Sequence, residues 1–253
     1  MQGYDSASYG DAFADVYDDW YGDVSDVDAT VEALAQLSSM VPTLPIVELG
    51  VGTGRLAIPL AQRVHPTSVI GIDASQAMLD RLGSNESAAG AERRVDVCLG
   101  DMIDDLPDAP LGVVFAAFNT FFNLGTLERQ SACFRAVGER LSPGGCFVIE
   151  AAVPDDAAAT GSRVDVRTIT ADRVVLSVAR YDESSHRAEG QFIELSERGG
   201  VRLRPWSVRY ASPAELDEMA SGAGMVLRDR WETFAGVPYT ADSGRHVSIY
   251  GTG

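Results

Sequence analysis

Lysine is absent from this chain of 253 residues; all 20 cationic side chains are arginine, which reads first as a compositional bias of the source and only weakly as chemistry. Cysteine is scarce. Cys98, Cys133 and Cys146 form no CxxC pair and no disulfide framework, so a reduced cytoplasm is the expected location. The three histidines lie far apart, which speaks against a Cys/His zinc site, and no metal is expected. No apolar run approaches the roughly 18 residues of a membrane span. The opening MQGYDSASYGDAFADVYDDWYGD lacks the basic start and apolar core of a secretory signal. What remains is an ordinary globular composition, 45% hydrophobic and 23% charged, on a chain long enough for one large domain.

Positive charge is also short: 20 cations face 37 acids, for a net charge of −17. Such a field repels phosphate backbones and anionic headgroups, so nucleic acid and membrane are poor partners. A homodimer is left open. The imbalance is uneven. Residues 1–54 hold ten acids and no arginine, whereas Arg163 to Arg209 holds nine arginines against seven acids. These are either two solvated faces, or the second segment meets an anionic group on the substrate.

Along the chain, a polar and aromatic head is followed by helical spacing from Asp26 to Met40. A short strand, Ile46 to Leu49, runs into glycines. Helix (Arg55 to Arg63), strand (Val69 to Ile72), helix (from Ala77, with a loop at Ser84 to Gly90) and strand (Val95 to Leu99) follow. Leu111 to Phe118 is apolar throughout, as a strand buried on both faces should be. A helix from Leu127 to Leu141 is expected to stop at Ser142-Pro143-Gly144-Gly145, before a strand at Cys146 to Ala151. This alternation predicts a parallel sheet with helices on both faces. After Pro154 the period becomes two, which predicts four antiparallel strands at 163–169, 173–181, 187–195 and 201–210. Ser212-Pro213-Ala214-Glu215 has the form of a capping box opening a helix. Two more strands, Met225 to Trp231 and His246 to Tyr250, close the chain.

The chemistry-bearing signal is Val47-Glu48-Leu49-Gly50-Val51-Gly52-Thr53-Gly54-Arg55. Glycines between a strand and a helix let the backbone turn tightly and approach a ligand, with free N–H groups behind them. A dinucleotide fingerprint is GxGxxG, but here the spacing is GxGxG and Leu56 stands at the last glycine position. Asp73 ends the second strand, where a carboxylate accepts both hydroxyls of a ribose; this suits NAD or another adenosine ligand. Asp101 follows the third strand, where it can accept from an exocyclic amine. The alternative for each is a cap or a turn acid.

With these pieces in order, the sequence resembles the class I S-adenosylmethionine-dependent methyltransferases. The matching segments are VELGVGTGRLA (Val47 to Ala57), VIGIDASQAML (Val69 to Leu79), CLGDM (Cys98 to Met102), VVFAAFNTFFNL (Val113 to Leu124) and LSPGGCFVIE (Leu141 to Glu150). The head, Phe13 to Tyr21, is similar to that of small-molecule N-methyltransferases, including glycine N-methyltransferase and the nucleotide-amino-sugar N,N-dimethyltransferases, which also carry an antiparallel insertion after the fifth strand.

The resemblance implies an α/β, Rossmann-like fold: a mostly parallel seven-stranded sheet with helices on both faces. It divides the chain into an N-terminal lid and opening helices (1–44), a cofactor-binding core (45–153), an antiparallel β insertion capping the substrate (154–211) and the end of the core (212–253). S-adenosyl-L-methionine is the implied cofactor. Gly50, Gly52 and Gly54 would line its methionine part, Asp73 would hold the ribose, and Asp101 with Met102 the adenine. Ala74 and Met78 would flank the adenosine, Phe118 and Asn119 would sit beside the amine, and Tyr17 would close over it. Relatives use a basic residue in the head for the cofactor carboxylate; this head has none. Arg55 is the available cation, unless it pairs with a surface acid.

The segment FNTF after the fourth strand departs from the [DN]PP[YF] of enzymes that methylate adenine bases or protein glutamine. His186 and His246 are packing or surface histidines by default, and otherwise bases for the acceptor. Trp206, Trp231 and Tyr239 belong to the core or line a pocket. The expected activity is methyl transfer to a nitrogen or oxygen of a small molecule, with an NAD-dependent dehydrogenase or an inactive cofactor-binding module as alternatives. Arg202 and Arg204, which share one strand face, are the expected clamp for an anionic substrate handle.

Overall fold

The computed structural model describes residues 1–22, 24–90, 94–108, 110–154 and 161–253. In chain order, α1 (Ser8–Phe13), α2 (Tyr17–Tyr21) and α3 (Val27–Ser38) precede β1 (Ile46–Leu49), α4 (Ala57–Val64), β2 (Val69–Asp73), α5 (Gln76–Ala88) and β3 (Val95–Leu99). Then come β4 (Leu111–Ala116), a 3-10 turn (Thr120–Asn123), α6 (Leu127–Gly138) and β5 (Leu141–Ala152). The insertion is β6 (Gly161–Ile169), β7 (Arg173–Asp182), β8 (Arg187–Ser196) and β9 (Gly200–Arg209), and α7 (Pro213–Gly222), β10 (Met225–Trp231) and β11 (Arg245–Thr252) close the chain.

The main sheet has seven strands in the order β10-β11-β5-β4-β1-β2-β3. Its first five strands in sequence run parallel, and β11 runs antiparallel to both β5 and β10. The insertion forms a separate antiparallel sheet in the order β6-β7-β8-β9. This is the Rossmann-like, mostly parallel architecture with a β insertion that the resemblance implied, and it holds the parallel sheet and the four antiparallel strands predicted from the change of period. The start expected for the insertion, residue 154, runs into 155–160, which lie outside the described residues.

β4 shows why its residues are apolar throughout. Val113 and Phe115 enter the cluster beneath α3 and α4, while Val114 and Ala116 enter the opposite cluster beneath α6 and α7. Alternation on a pleated strand thus feeds both cores at once. The predicted capping box is formed: Ser212 accepts from the Glu215 N–H and Glu215 accepts from the Ser212 N–H.

Two local expectations are corrected. Most of the loop placed at Ser84 to Gly90 is helix: Ala89 and Gly90 form the turn after α5, whose second half continues to Ala88. Its serines stay helical by donating backwards, Ser84 to the Asp80 carbonyl at 3.0 Å and Ser87 to the Gly83 carbonyl at 2.9 Å. Buried Leu82 and Glu86 anchor that half, and Glu86 accepts the Val95 N–H at the start of β3. Ser142-Pro143-Gly144-Gly145 is not a break between α6 and a strand starting at Cys146, because β5 already begins at Leu141. The pairing jumps from Leu111↔Leu141 to Val113↔Cys146, so these four residues bulge against Gly112. Gly144 has φ +86°, and a Cβ on Gly145 would lie 2.7 Å from the Gly112 carbonyl oxygen.

Candidate functional site

The turn after β1 lies at the carboxyl edge of the parallel sheet, where open α/β folds place their ligands. Gly50, Gly52 and Gly54 all have positive φ, at 66°, 57° and 81°. They differ in what surrounds them. A Cβ on Gly50 would fall 2.4 Å from Thr120 Cγ2, and one on Gly54 would fall 2.8 Å from Ile58 Cδ1, whereas Gly52 faces open space. Leu56, where a dinucleotide fingerprint would have its last glycine, is buried in the core beneath α4. At the end of β2, Asp73 accepts the Gly52 N–H at 2.8 Å through one oxygen and the Ser75 N–H at 2.9 Å through the other. Burial raises its carboxyl above the ordinary range. Each oxygen keeps a lone pair for a ligand hydroxyl.

Eight of the twelve residues expected at the site line one cavity of about 290 Å³. Gly50, Gly52, Asp73, Ala74 and Met78 come from β1, β2 and α5, and Asp101 and Met102 from the loop after β3, while Tyr17 comes from the head. Burial pushes the Tyr17 hydroxyl up to about 12. Asp101 is also a turn acid: Oδ1 accepts from the Ile103 N–H at 2.8 Å, and Oδ2 accepts from Arg129 at 2.6 Å.

The other four lie outside the cavity lining. Gly54 serves packing against Ile58 and Leu82. Arg55 donates to Ser25 Oγ at 2.6 Å and sits 5.9 Å over the Phe118 ring; among the described residues it makes no ion pair within 4 Å. Phe118 and Asn119 are non-glycine residues with φ of 49° and 65°. Such conformations cost about 1–3 kcal/mol each and persist only when the surroundings hold them. Here Glu150 accepts the Phe118 N–H at 2.9 Å through its side chain and the Asn119 N–H at 3.0 Å through its carbonyl, while Asn119 Oδ1 accepts from the Ala152 N–H at 2.7 Å. The reversal carries the chain into the 3-10 turn, whose Thr120 and Asn123 line the cavity instead.

The head and the insertion roof the site. Phe13 is fully buried between Met78 of α5 and Phe192 of β8, with ring centroids 5.8 Å from Phe192. A Cβ on Gly10 would lie 2.3 Å from Ser75 Cβ, so α1 is seated directly on α5. The acidity of the head has partners: Asp11 accepts from Ser75 at 2.6 Å and Asp18 from Thr53 at 2.6 Å. Asp15 takes both Arg202 (2.7 Å) and Arg204 (2.6 Å). This corrects the anion clamp expected of those two arginines. Arg204 is buried and also meets Glu194 at 3.3 Å, so its charge is already matched inside the protein.

The two histidines also stand apart from the cavity. His246 is buried against Ser248 Oγ at 2.8 Å, and burial lowers its pKa to about 4. His186 meets Glu215 at 3.1 Å and stacks on Tyr210. Trp206 packs on Gly190, Trp231 bonds Asp229 and Tyr239 faces Arg230; none lines the cavity. Sequence reasoning missed Tyr4, Tyr9, Thr126, Arg129, Arg187 and Ser207, all of which line it. They come from segments far apart in sequence, and only the aromatic head carried a local signal.

Residues 46–145 match the family described as methyltransferase domain. The chain is 29% identical over 204 residues to the cypemycin N-terminal methyltransferase of a Streptomyces species, covering 78% of this chain and 79% of that protein. It is 39% identical to the CcbJ methyltransferase from Streptomyces caelestis, whose structure superposes with a TM-score of 0.88 over 98% of this chain and 99% of that one. The sugar N-methyltransferase KedS8 from Streptoalloteichus shares the fold, with a TM-score of 0.67 at 20% identity over 98% of each chain.

Proposed function

Because this chain belongs to the class I S-adenosylmethionine-dependent methyltransferases, we propose that it methylates a nitrogen of a small molecule, an amine such as a nucleotide-linked amino sugar, by direct in-line transfer. Of the similar proteins named above, one is named an N-terminal methyltransferase and one a sugar N-methyltransferase. The observation that carries the reading is the single cavity that gathers Gly52, Asp73 and Asp101 under an aromatic roof.

The residues fit the cofactor. Gly52 leaves its side open to the cavity, and the half-buried Asp73 carboxylate faces the same space. At about 290 Å³ the cavity sits at the lower edge of small-ligand sites, roughly 300–1,000 Å³. In this reading Gly50 and Gly52 lie along the methionine part, Asp73 takes the ribose hydroxyls, Ala74 and Met78 flank the adenosine, and Asp101 with Met102 borders the adenine. Tyr17 closes the site from the head. Gly54, Arg55, Phe118 and Asn119 act from behind the lining. Gly54 seats α4, and Arg55 supplies positive potential beside the buried Glu48 and Glu150 carboxyls. Phe118 and Asn119 set the turn that presents Thr120.

When bound, S-adenosylmethionine supplies an activated methyl group, so no covalent enzyme intermediate is needed. The protein's part is to exclude water, hold the acceptor nitrogen in line and leave it unprotonated. A panel of primary amines and matched alcohols offered with labelled methyl donor tests this. Label on amines, at a rate that rises with pH through the amine's effective pKa, is expected. Label confined to hydroxyls would overturn the nitrogen assignment.

A further inference from the structure

The cavity has two arginines in its lining, and only one of them is matched by acids. Arg129 meets Asp101 at 2.6 Å and Asp104 at 3.3 Å. Arg187, the first residue of β8, has no carboxylate within 4 Å among the described residues. Its side chain makes one hydrogen bond, from Nη2 to Ser207 Oγ at 3.5 Å. Its neighbours are committed elsewhere. Directly across the strand pair lies Arg209, whose guanidinium is held by Glu215 at 2.8 Å and Gln130 at 2.6 Å. On the other side, Asp182 accepts from the Ser184 N–H and from the hydroxyls of Ser184 and Ser185. Asp5, the acid of the head that also lines the cavity, accepts from the N–H groups of Ala7 and Ser8 and from the Ser8 hydroxyl.

Two like charges opposite each other on one sheet face are unfavourable, and here one is neutralised while its half-buried neighbour is not. The arrangement is stable once an anion sits on the second. We propose that Arg187, with the Ser207 hydroxyl beside it, is an oxyanion subsite that selects methyl acceptors carrying a carboxylate or phosphate. The proposal rests on the methyl-transfer reading of the cavity. Both residues belong to the insertion, whereas the residues assigned to the cofactor belong to the main sheet's edge and the head, so the subsite addresses the acceptor. A guanidinium offers two parallel donors to such a group, and a local cation is what an anionic acceptor needs against a net charge of −17.

The probes are sodium phosphate and sodium acetate, each titrated by calorimetry into protein saturated with S-adenosylhomocysteine, with sodium chloride at matched ionic strength as reference. Wild type should bind at least one of the two saturably. Arg187→Gln should weaken that binding by about tenfold or more, and Arg187→Lys, which keeps the charge but not the fork, by less. A preference for phosphate or acetate tells a phosphate-bearing from a carboxylate-bearing acceptor. Anion binding equal in wild type and Arg187→Gln, or absent from wild type, would overturn the proposal. So would a tenfold loss of S-adenosylhomocysteine affinity in Arg187→Gln, which would put the guanidinium on the cofactor. Failure of wild type to bind S-adenosylhomocysteine at all would instead sink the methyl-transfer reading beneath it.

Discussion

The guanidinium of Arg204, buried on β9, closes on the Asp15 carboxylate of the head at 2.6 Å, across 189 residues of sequence. Its hydrogen bonds hold the Asp15 carboxyl below its ordinary value. The same guanidinium lies 5.5 Å over the Trp20 ring, and Arg167 lies 4.6 Å over that ring as well, donating to the Trp20 carbonyl. Head and insertion therefore make one roof.

Asp15→Asn should loosen that roof. Removing one partner of a buried pair costs about 3–5 kcal/mol, and solvent around the half-exposed Asp15 reduces this to about 1–3 kcal/mol. Urea unfolding would measure the loss, and hydrogen exchange across Tyr9 to Tyr21 should quicken. Unchanged exchange in that stretch would mean that the head is held by Phe13 and its aromatic neighbours alone.

Asp73→Ala should weaken both the methyl donor and its demethylated product by about 1–3 kcal/mol, the usual effect of losing a charge-assisted hydrogen-bond partner. Because Asp73 also accepts the Gly52 N–H, the glycine turn should loosen with it. Calorimetry with S-adenosylhomocysteine showing wild-type affinity would remove Asp73 from the site.

Glu48 is buried on β1 with Oε2 unpartnered among the described residues, and burial pushes its carboxyl up to about 8. A carboxyl whose pKa is raised by folding contributes stability that is fully present below about 4.5 and is lost as pH rises through about 8. The folded state holds the extra proton across that window, so stability falls with pH. Glu48→Gln should flatten the slope and raise stability at pH 9 by an amount on the order of 5 kcal/mol. A pH–stability curve parallel to wild type would contradict this.

Gly50→Ala should be worse than Gly52→Ala. Both positions have positive φ, but only at Gly50 would the added methyl strike Thr120. Thermal unfolding of the two variants side by side would show a larger loss for Gly50→Ala, by about 1–3 kcal/mol. Equal losses would reduce Gly50 to a backbone requirement.

The main sheet and the floor of the site were legible in the sequence because their signals are local. A short, mostly apolar strand, a glycine turn and an acid at the next strand's end each declare themselves within a few positions. The loop expected at Ser84 failed because serines that bond back within a helix look like loop residues in composition. The break expected at Ser142 failed because a wide bulge and a chain stop use the same proline and glycines. Arg202 and Arg204 were read as facing a ligand because their partner, Asp15, lies at the far end of the chain. Tyr4, Arg187 and Ser207 were invisible for the same reason: nothing in any one segment records which others fold over it.

The clasp between Asp15 and Arg204 has a consequence for redesign. Residues 161–209 look like a detachable module hung between β5 and α7, and swapping such a sheet is an obvious way to retarget the enzyme. A donor sheet lacking the two arginines would strand Asp15, and a donor sheet bringing its own buried arginine would need an acid at that place in α1–α2. A working chimera must therefore transplant both ends of the roof, residues 1–22 together with the insertion, leaving the floor between them as host.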